Sequence, residues 1–323
     1  MNAMTKDEVL SILLGSEGDI SGEEISARLH ISRAAVNNAV RALRDEGYAI
    51  DSATRKGYRL IAGPDRLCPG ELLYRLGRER MERVIVLDSV DSTNTYLKKH
   101  ARELPDGTVC MANEQTGGRG RMGRSFHSPM NEGVYISCLM KPNCAPAETM
   151  GITAMAAVET GRALETVTGL RPGIKWVNDL ELDGKKLVGI LTELGMEAES
   201  GRIQYLIVGV GINVKERAFP PELRDIATSL ALSGADEVSR CDIAAEMVRR
   251  LDALRRDFLT RRERYLSEFR ANCTTLGREI SYWRDDRKII ARAEDVDESF
   301  GLIVSNEEGR SVLRAGEVSV RKV

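Results

Sequence analysis

Apolar residues recur at helical spacing through the first sixty residues, then give way to alternating and continuous runs. Thr5 with Glu8, and Ser21 with Glu24, each spell a capping box ahead of an apolar-periodic stretch, predicting helices over about 6–14 and 22–29. A third helix follows Ser32 in SRAAVNNAVRALRDEGY. Ala35, Ala39 and Ala42 with Val36, Val40 and Leu43 form its apolar face, and Gly47 ends it. Two short helices joined by LHIS predict a helix-turn-helix. The next stretch, AIDSATRKGYRLI, places two β-prone runs around a polar tip, the pattern of a wing. A winged helix-turn-helix is therefore expected over 1–63. Residues 62–70, AGPDRLCPG, carry two prolines and two glycines and open a linker expected over 64–82.

From residue 83 the period changes. RVIVLDSV, GTVCMANEQ, GVYISCLMKP and IQYLIVGVGINV predict strands; the third alternates as if one face were wet, and the uncharged fourth is expected at the sheet's centre. DSTNTYLKKHA predicts a helix capped by Asp91 or Ser92, and TMGITAMAAVETGRALETV a long alanine-rich one. IKWVNDLELDGKKLVGILTEL predicts a strand and then a hairpin turned at Asp183-Gly184. This order fits an α+β layer, a mixed and mostly antiparallel sheet with helices on one side, over 83–272. Its last element, about 242–270, is expected as one amphipathic helix. The remaining 273–323 predict short strands with turns at DD and NEEG, a small SH3-like β-barrel.

Composition narrows the classes. Forty-seven basic against 49 acidic residues give a net charge of −2, so nucleic acid or membrane binding must come from a local patch. Six cysteines without a CxxC pair suit a reducing cytoplasm, and three isolated histidines give no metal or triad spacing. The first residues have no signal-peptide pattern, and no apolar run is long enough to cross a bilayer.

One patch is local. Residues 1–27 hold one Lys against six acids, whereas 28–61 hold seven basic residues against three acids. On the third helix Ser32, Arg33, Asn37, Asn38 and Arg41 are placed to meet DNA, and Arg55 and Lys56 on the wing to meet phosphates. The competing reading is a protein-contact module with a solvated charged face.

The stretch GGRGRMGR, residues 117–124, concentrates glycine and arginine. Gly118, Gly120 and Gly123 satisfy GxGxxG, and 118–125 nearly spells a P-loop, but neither is followed by a helix; RSFHSPMNEG has Pro129 and no helical period. The favoured reading is a loop that wraps an anionic ligand, glycine supplying the backbone freedom and arginine the forked donors. Lys175-Trp176-Val177-Asn178-Asp179, Lys185-Lys186 and Asn213 add polar groups at strand ends, with Gly189 for close backbone approach, a set suited to a nucleotide with magnesium.

GRGRMGR, KWVNDLELDGKKLVGILTEL, DSTN and GVGINV resemble the matching segments of biotin–protein ligases. With the SRAAVN helix in front, the whole chain resembles the bifunctional biotin–protein ligase and biotin operon repressor family. The resemblance implies a class II aminoacyl-tRNA synthetase-like catalytic fold and an adenylation in two steps. Biotin and ATP with Mg2+ give biotinyl-5′-AMP, and a lysine of biotin carboxyl carrier protein then takes the biotin. It implies biotin contacts from Ser92, Thr93, Asn94, Gln115, Gly118, Arg119, Gly120, Arg121, Lys186 and Gly189, with Lys186 and Arg121 catalytic. Arg124, Phe126, Trp176, Asn178, Asp179 and Asn213 line the nucleotide side. It implies operator DNA as a partner and a homodimer when the adenylate is bound; GVYISCLMKP reads as a candidate edge for such pairing, and the isolated histidines point to no structural metal. Two departures stand out: Met122 where many such loops have arginine, and Phe126 where tryptophan is common. The alternatives are a sensor without catalysis and a ligase for lipoate or another carboxylate.

Overall fold

The computed structural model describes residues 3–53, 57–197, 199–284, 287–314 and 321–322. Helices α1 (Ala3–Leu14), α2 (Gly22–Leu29) and α3 (Arg33–Asp45) pack with an antiparallel wing, β1 (Ala49–Ala53) and β2 (Gly57–Ala62). Val9, Leu13, Ile25, Val36, Val40 and Leu43 close a core of their own. Ser21 and Ser32 cap α2 and α3, their hydroxyls accepting from the N–H of Glu24 and Ala35 at 3.0 and 3.1 Å. Thr5 caps nothing, because α1 already begins at Ala3.

Residues within the expected linker carry two further helices, α4 (Pro69–Leu76) and α5 (Arg78–Met81). Pro69 at the first turn starts α4, and the helix lies against α1. Leu67 and Leu72 enter the core of the central sheet layer while neighbouring Cys68 belongs to the N-terminal core. The segment therefore joins two cores instead of spacing them apart. Asn113 holds it by accepting from the Leu67 N–H and donating to the Leu67 carbonyl, both at 2.9 Å.

The central sheet has seven strands: β3 (Val84–Val90), β4 (Val109–Gln115), β5 (Gly133–Met140), β6 (Gly173–Lys175), β7 (Asp179–Leu182), β8 (Lys185–Met196) and β9 (Ile203–Asn213). Their order is β3-β4-β5-β9-β8-β7-β6, parallel only between β3 and β4. Uncharged β9 sits fourth, at the centre. Asp183 and Gly184 turn the β7–β8 hairpin with φ of 50° and 76°. Strand β5 departs from expectation: it pairs with β4 and β9 and is buried along its whole length. It has no wet face and is not an edge, because both faces of the sheet are covered there.

Alternation along the strands assigns those faces. Ile174, Leu180, Val188, Val210 and Val134 pack against α7 (Ile152–Thr168) and α8 (Arg240–Asp257). On the opposite face α6 (Thr93–His100) lays Leu97 and Ala101 against Cys110, Leu139 and Ile207. Helices thus lie on both sides of the sheet, not on one. The expected single helix over 242–270 is two, α8 and α9 (Arg262–Asn272).

Five antiparallel strands follow, β10 (Glu279–Arg284), β11 (Arg287–Val296), β12 (Leu302–Asn306), β13 (Gly309–Leu313) and β14 (Arg321–Lys322), in the order β13-β12-β11-β10-β14. The NEEG turn joins β12 to β13 as expected; the DD turn lies outside the described residues. Ile280, Ala293 and Leu302 share the core of the central layer. No helix among the described residues is long and apolar enough to cross a membrane.

Candidate functional site

The polar face of the sheet holds a cleft of about 960 Å³ with a smaller chamber beside it. Three glycines leave room for both. A Cβ on Gly209 would stand 2.1 Å from Asn94 Oδ1, and one on Gly211 would stand 2.5 Å from the Phe126 ring. Gly189, next to Gly211 in the register, would crowd the same ring.

The chamber is lined by Ser92, Thr93, Asn94, Gln115 and Ser137. Ser92 is the N-cap of α6, so the helix start is aimed at the chamber. Thr93 donates from its N–H and its hydroxyl to Gln115 Oε1 at 2.9 and 3.1 Å. Its hydroxyl also meets the Ser137 hydroxyl at 2.7 Å, which donates to Asn94 Oδ1 at 2.6 Å. Asn94 Nδ2 donates to Glu193 at 3.0 Å, and Gln115 Nε2 to Ser128 at 3.1 Å. Such a closed net fixes donors and acceptors in place before a ligand arrives.

The glycine–arginine loop closes over the junction of the two spaces. Phe126 N–H donates to Gly118 O and Gly120 N–H to Arg124 O, so the loop doubles back on itself. Met122 takes a left-handed φ of 55° at its tip and is exposed. Only a single short 3-10 turn, Arg121–Gly123, forms here, and the chain then leads into β5. A dinucleotide or P-loop cradle, which needs a following helix, is thereby ruled out.

At the junction Lys186 Nζ donates to Asp179 Oδ1 at 2.7 Å and lies 5.9 Å from the centroid of the Phe126 ring. Arg121 donates to Asn178 Oδ1 at 2.9 Å. Burial lowers the Arg121 pKa, opposed by the charge of Asp179; starting so high, the guanidinium stays protonated at neutral pH. Arg119 lines both spaces, whereas Arg124 lines the larger. Arg119 and Arg124 are exposed, whereas the partial burial of Lys186 and Arg121 raises the worth of any anion brought between those two.

Two members of the expected nucleotide set are also tied into the fold. Trp176 lines the larger cleft but is almost wholly buried, and its indole N–H donates to Phe300 O at 2.9 Å. It ties the β10–β14 module to the cleft wall. Asn213 lines the larger cleft, and its Nδ2 donates to Thr228 O at 3.0 Å.

Sequence reasoning missed Ser137, Ser128, Glu193 and the wall formed by Phe219, Leu223 and Ile226. Ser137 was findable as the lone serine in an otherwise apolar strand. The wall carries only a Phe-Pro-Pro signal, which reads as any loop.

On the N-terminal module Arg33, Asn37, Asn38 and Arg41 share the exposed side of α3, with Arg41 donating to Asn38 at 3.3 Å. Ser32 is exposed beside them, but its oxygen is engaged as a cap. Arg55 and Lys56 lie outside the described residues.

Comparison with known proteins decides the family. The Biotin/lipoate A/B protein ligase family model matches residues 86–213, and an HTH domain model matches 5–59. The bifunctional ligase/repressor BirA of Bacillus subtilis is 39% identical over 248 residues, covering 75% of each chain. The chain belongs to the biotin/lipoate protein ligase family. The same bifunctional ligase/repressor from Escherichia coli is 29% identical over 93% of this chain and 92% of its own. A biotin protein ligase from Aquifex aeolicus, solved in complex with biotin and ATP, superposes with a TM-score of 0.65 at 29% identity, over 75% of this chain and 100% of that one. Relatives that span the helix-turn-helix module as well as the ligase layer place this chain in the bifunctional branch of the family.

Proposed function

We propose that the chain is a biotin–protein ligase that also represses transcription with biotinyl-5′-AMP as corepressor. The observation that carries the reading is the junction: a preorganised polar chamber opens into a larger cleft where Arg121 and Lys186 meet. Ser92, Thr93, Asn94 and Gln115 would hold biotin's polar ring, with its chain leading over Gly189 to the junction. Phe126, Asn178, Asp179, Asn213 and Arg124 would hold the nucleotide, against the apolar wall of Phe219, Leu223 and Ile226.

The biotin carboxylate then attacks the α-phosphorus of ATP. A new O–P bond forms, the bond to the bridging oxygen of the β-phosphate breaks, and pyrophosphate leaves with that electron pair. Lys186 and Arg121 would stabilise the charge that develops on the α-phosphate oxygens. In the second step a carrier lysine amine attacks the acyl carbon, and AMP departs as its phosphate. Gly118, Arg119 and Gly120 would close the loop over the mixed anhydride and exclude water. Asp179, whose Oδ1 accepts from Lys186 and Asn178, would hold magnesium with its other carboxylate oxygen, and the ion would screen phosphate charge.

Residues 1–63 would bind operator DNA through α3 and the wing, 83–272 would carry the chemistry, and 273–323 would support it. A homodimer of adenylate-bound chains would present two such modules to a two-fold operator, in the cytoplasm. Biotin-dependent adenylation tests the ligase. Operator binding strengthened by biotin with ATP, and not by either alone, tests the repressor.

A further inference from the structure

Cations in the cleft are not equally engaged. Lys186 is bonded to Asp179 and Arg121 to Asn178. Lys175, half-buried on the cleft wall, has no ion pair or side-chain hydrogen bond among the described residues.

Register fixes where it points. Lys175 pairs with Asp179, Asp179 with Gly189, and Gly189 with Gly211, one row across four strands. Gly189 and Gly211 face Phe126 in the cleft, whereas Ile174 and Leu180, next to the row, face the core. Residues in register share a face, so Lys175 projects on the cleft side. It stands two strands beyond Gly189, roughly 10 Å at the usual spacing between strands.

We infer that Lys175 binds the β- and γ-phosphates of ATP and then the pyrophosphate that leaves. This rests on the adenylation reading. With the acyl carboxylate and α-phosphate at Lys186 and Arg121, and the base against the apolar wall, the polyphosphate tail runs outward over Asp179. A lysine ammonium there supplies a mobile point charge that follows the departing group. The sequence places Lys175 only in a general set suited to a nucleotide and gives it no contact of its own.

The test uses the full-length protein and its Lys175→Ala, Lys175→Gln and Lys175→Arg variants. Exchange of labelled pyrophosphate into ATP with biotin and Mg2+ gives KM for ATP and for pyrophosphate. Titration calorimetry gives the affinity for synthetic biotinyl-5′-adenylate, which has neither outer phosphate. Lys175→Ala and Lys175→Gln should raise both KM values by about tenfold or more, with adenylate affinity within about twofold of the unsubstituted protein. Lys175→Arg should recover most of the loss. Unchanged KM values overturn the inference. So does a parallel loss of adenylate affinity, since a role in shaping the cleft would weaken both ligands. If the unsubstituted protein shows no biotin-dependent exchange, the adenylation reading fails and the inference falls with it.

Discussion

Two arginines sit on opposite sides of the central layer and answer different needs. Arg240, at the first turn of α8, is completely buried. Its guanidinium donates to Gly133 O, Asp65 O, Asn131 Oδ1 and Asn113 Oδ1 at 2.9 to 3.2 Å. Its N–H donates to Asp65 Oδ1 at 2.9 Å. Arg121, half-buried over the cleft, reaches Asn178 and faces a space large enough for a nucleotide. Burial pulls the pKa of both downward. The difference lies in what surrounds the charge. Around Arg240 protein oxygens fill the fork, and the result is a rivet between the segment at Asp65, strands β4 and β5, and α8. Arg121 lies beside space that a ligand can fill.

That contrast predicts separable failures. The largest is chemical: Lys186→Ala, beside Arg121, should cut the rate of adenylation by about a thousandfold or more. Its thermal midpoint should stay near that of the unsubstituted protein and biotin binding should remain measurable; unchanged turnover would remove Lys186 from the chemistry. Arg240→Ala should do the reverse. It orphans buried acceptors on three elements and should cost about 3 kcal/mol of stability, read by urea unfolding. Residual folded protein should still adenylate biotin. A near-neutral stability change would mean that water replaces the rivet.

Smaller effects should stay within one module. Arg33→Ala or Arg41→Ala should weaken operator binding by about tenfold and lower the salt slope by about 1, leaving exchange activity unchanged. A fluorescence anisotropy series against salt measures both. Smallest of all is a silence: all six cysteines are buried, and burial pushes Cys110 and Cys138 up to about 12. At pH 8 they should be protonated and unreactive toward a thiol reagent until the protein is unfolded. Rapid labelling of the native protein would contradict the packing of β4 and β5.

How much of this was legible in the chain follows the same division. Capping serines at 21 and 32, the Asp183-Gly184 turn and the central place of β9 depend on local chemistry, and sequence shows local chemistry. GRGRMGR and the Asn178–Lys186 stretch advertised the cleft because glycine beside several cations is hard to justify structurally. The burial of β5 and the splitting of the last helix into α8 and α9 depend on what packs against them, which no local pattern states. The tie between Trp176 and the β10–β14 module is of the same kind: its indole N–H reaches Phe300, far off in sequence. The Asn113–Arg240–Asp65 rivet was equally invisible, since its members come from four separate stretches.

The most direct test of the central claim is exchange of labelled pyrophosphate into ATP by the purified full-length chain with Mg2+, with and without biotin. The account predicts exchange that requires biotin and is lost in Lys186→Ala. Absence of biotin-dependent exchange in folded protein would contradict it, and exchange supported by lipoate instead would move the chain to another acid within the same family.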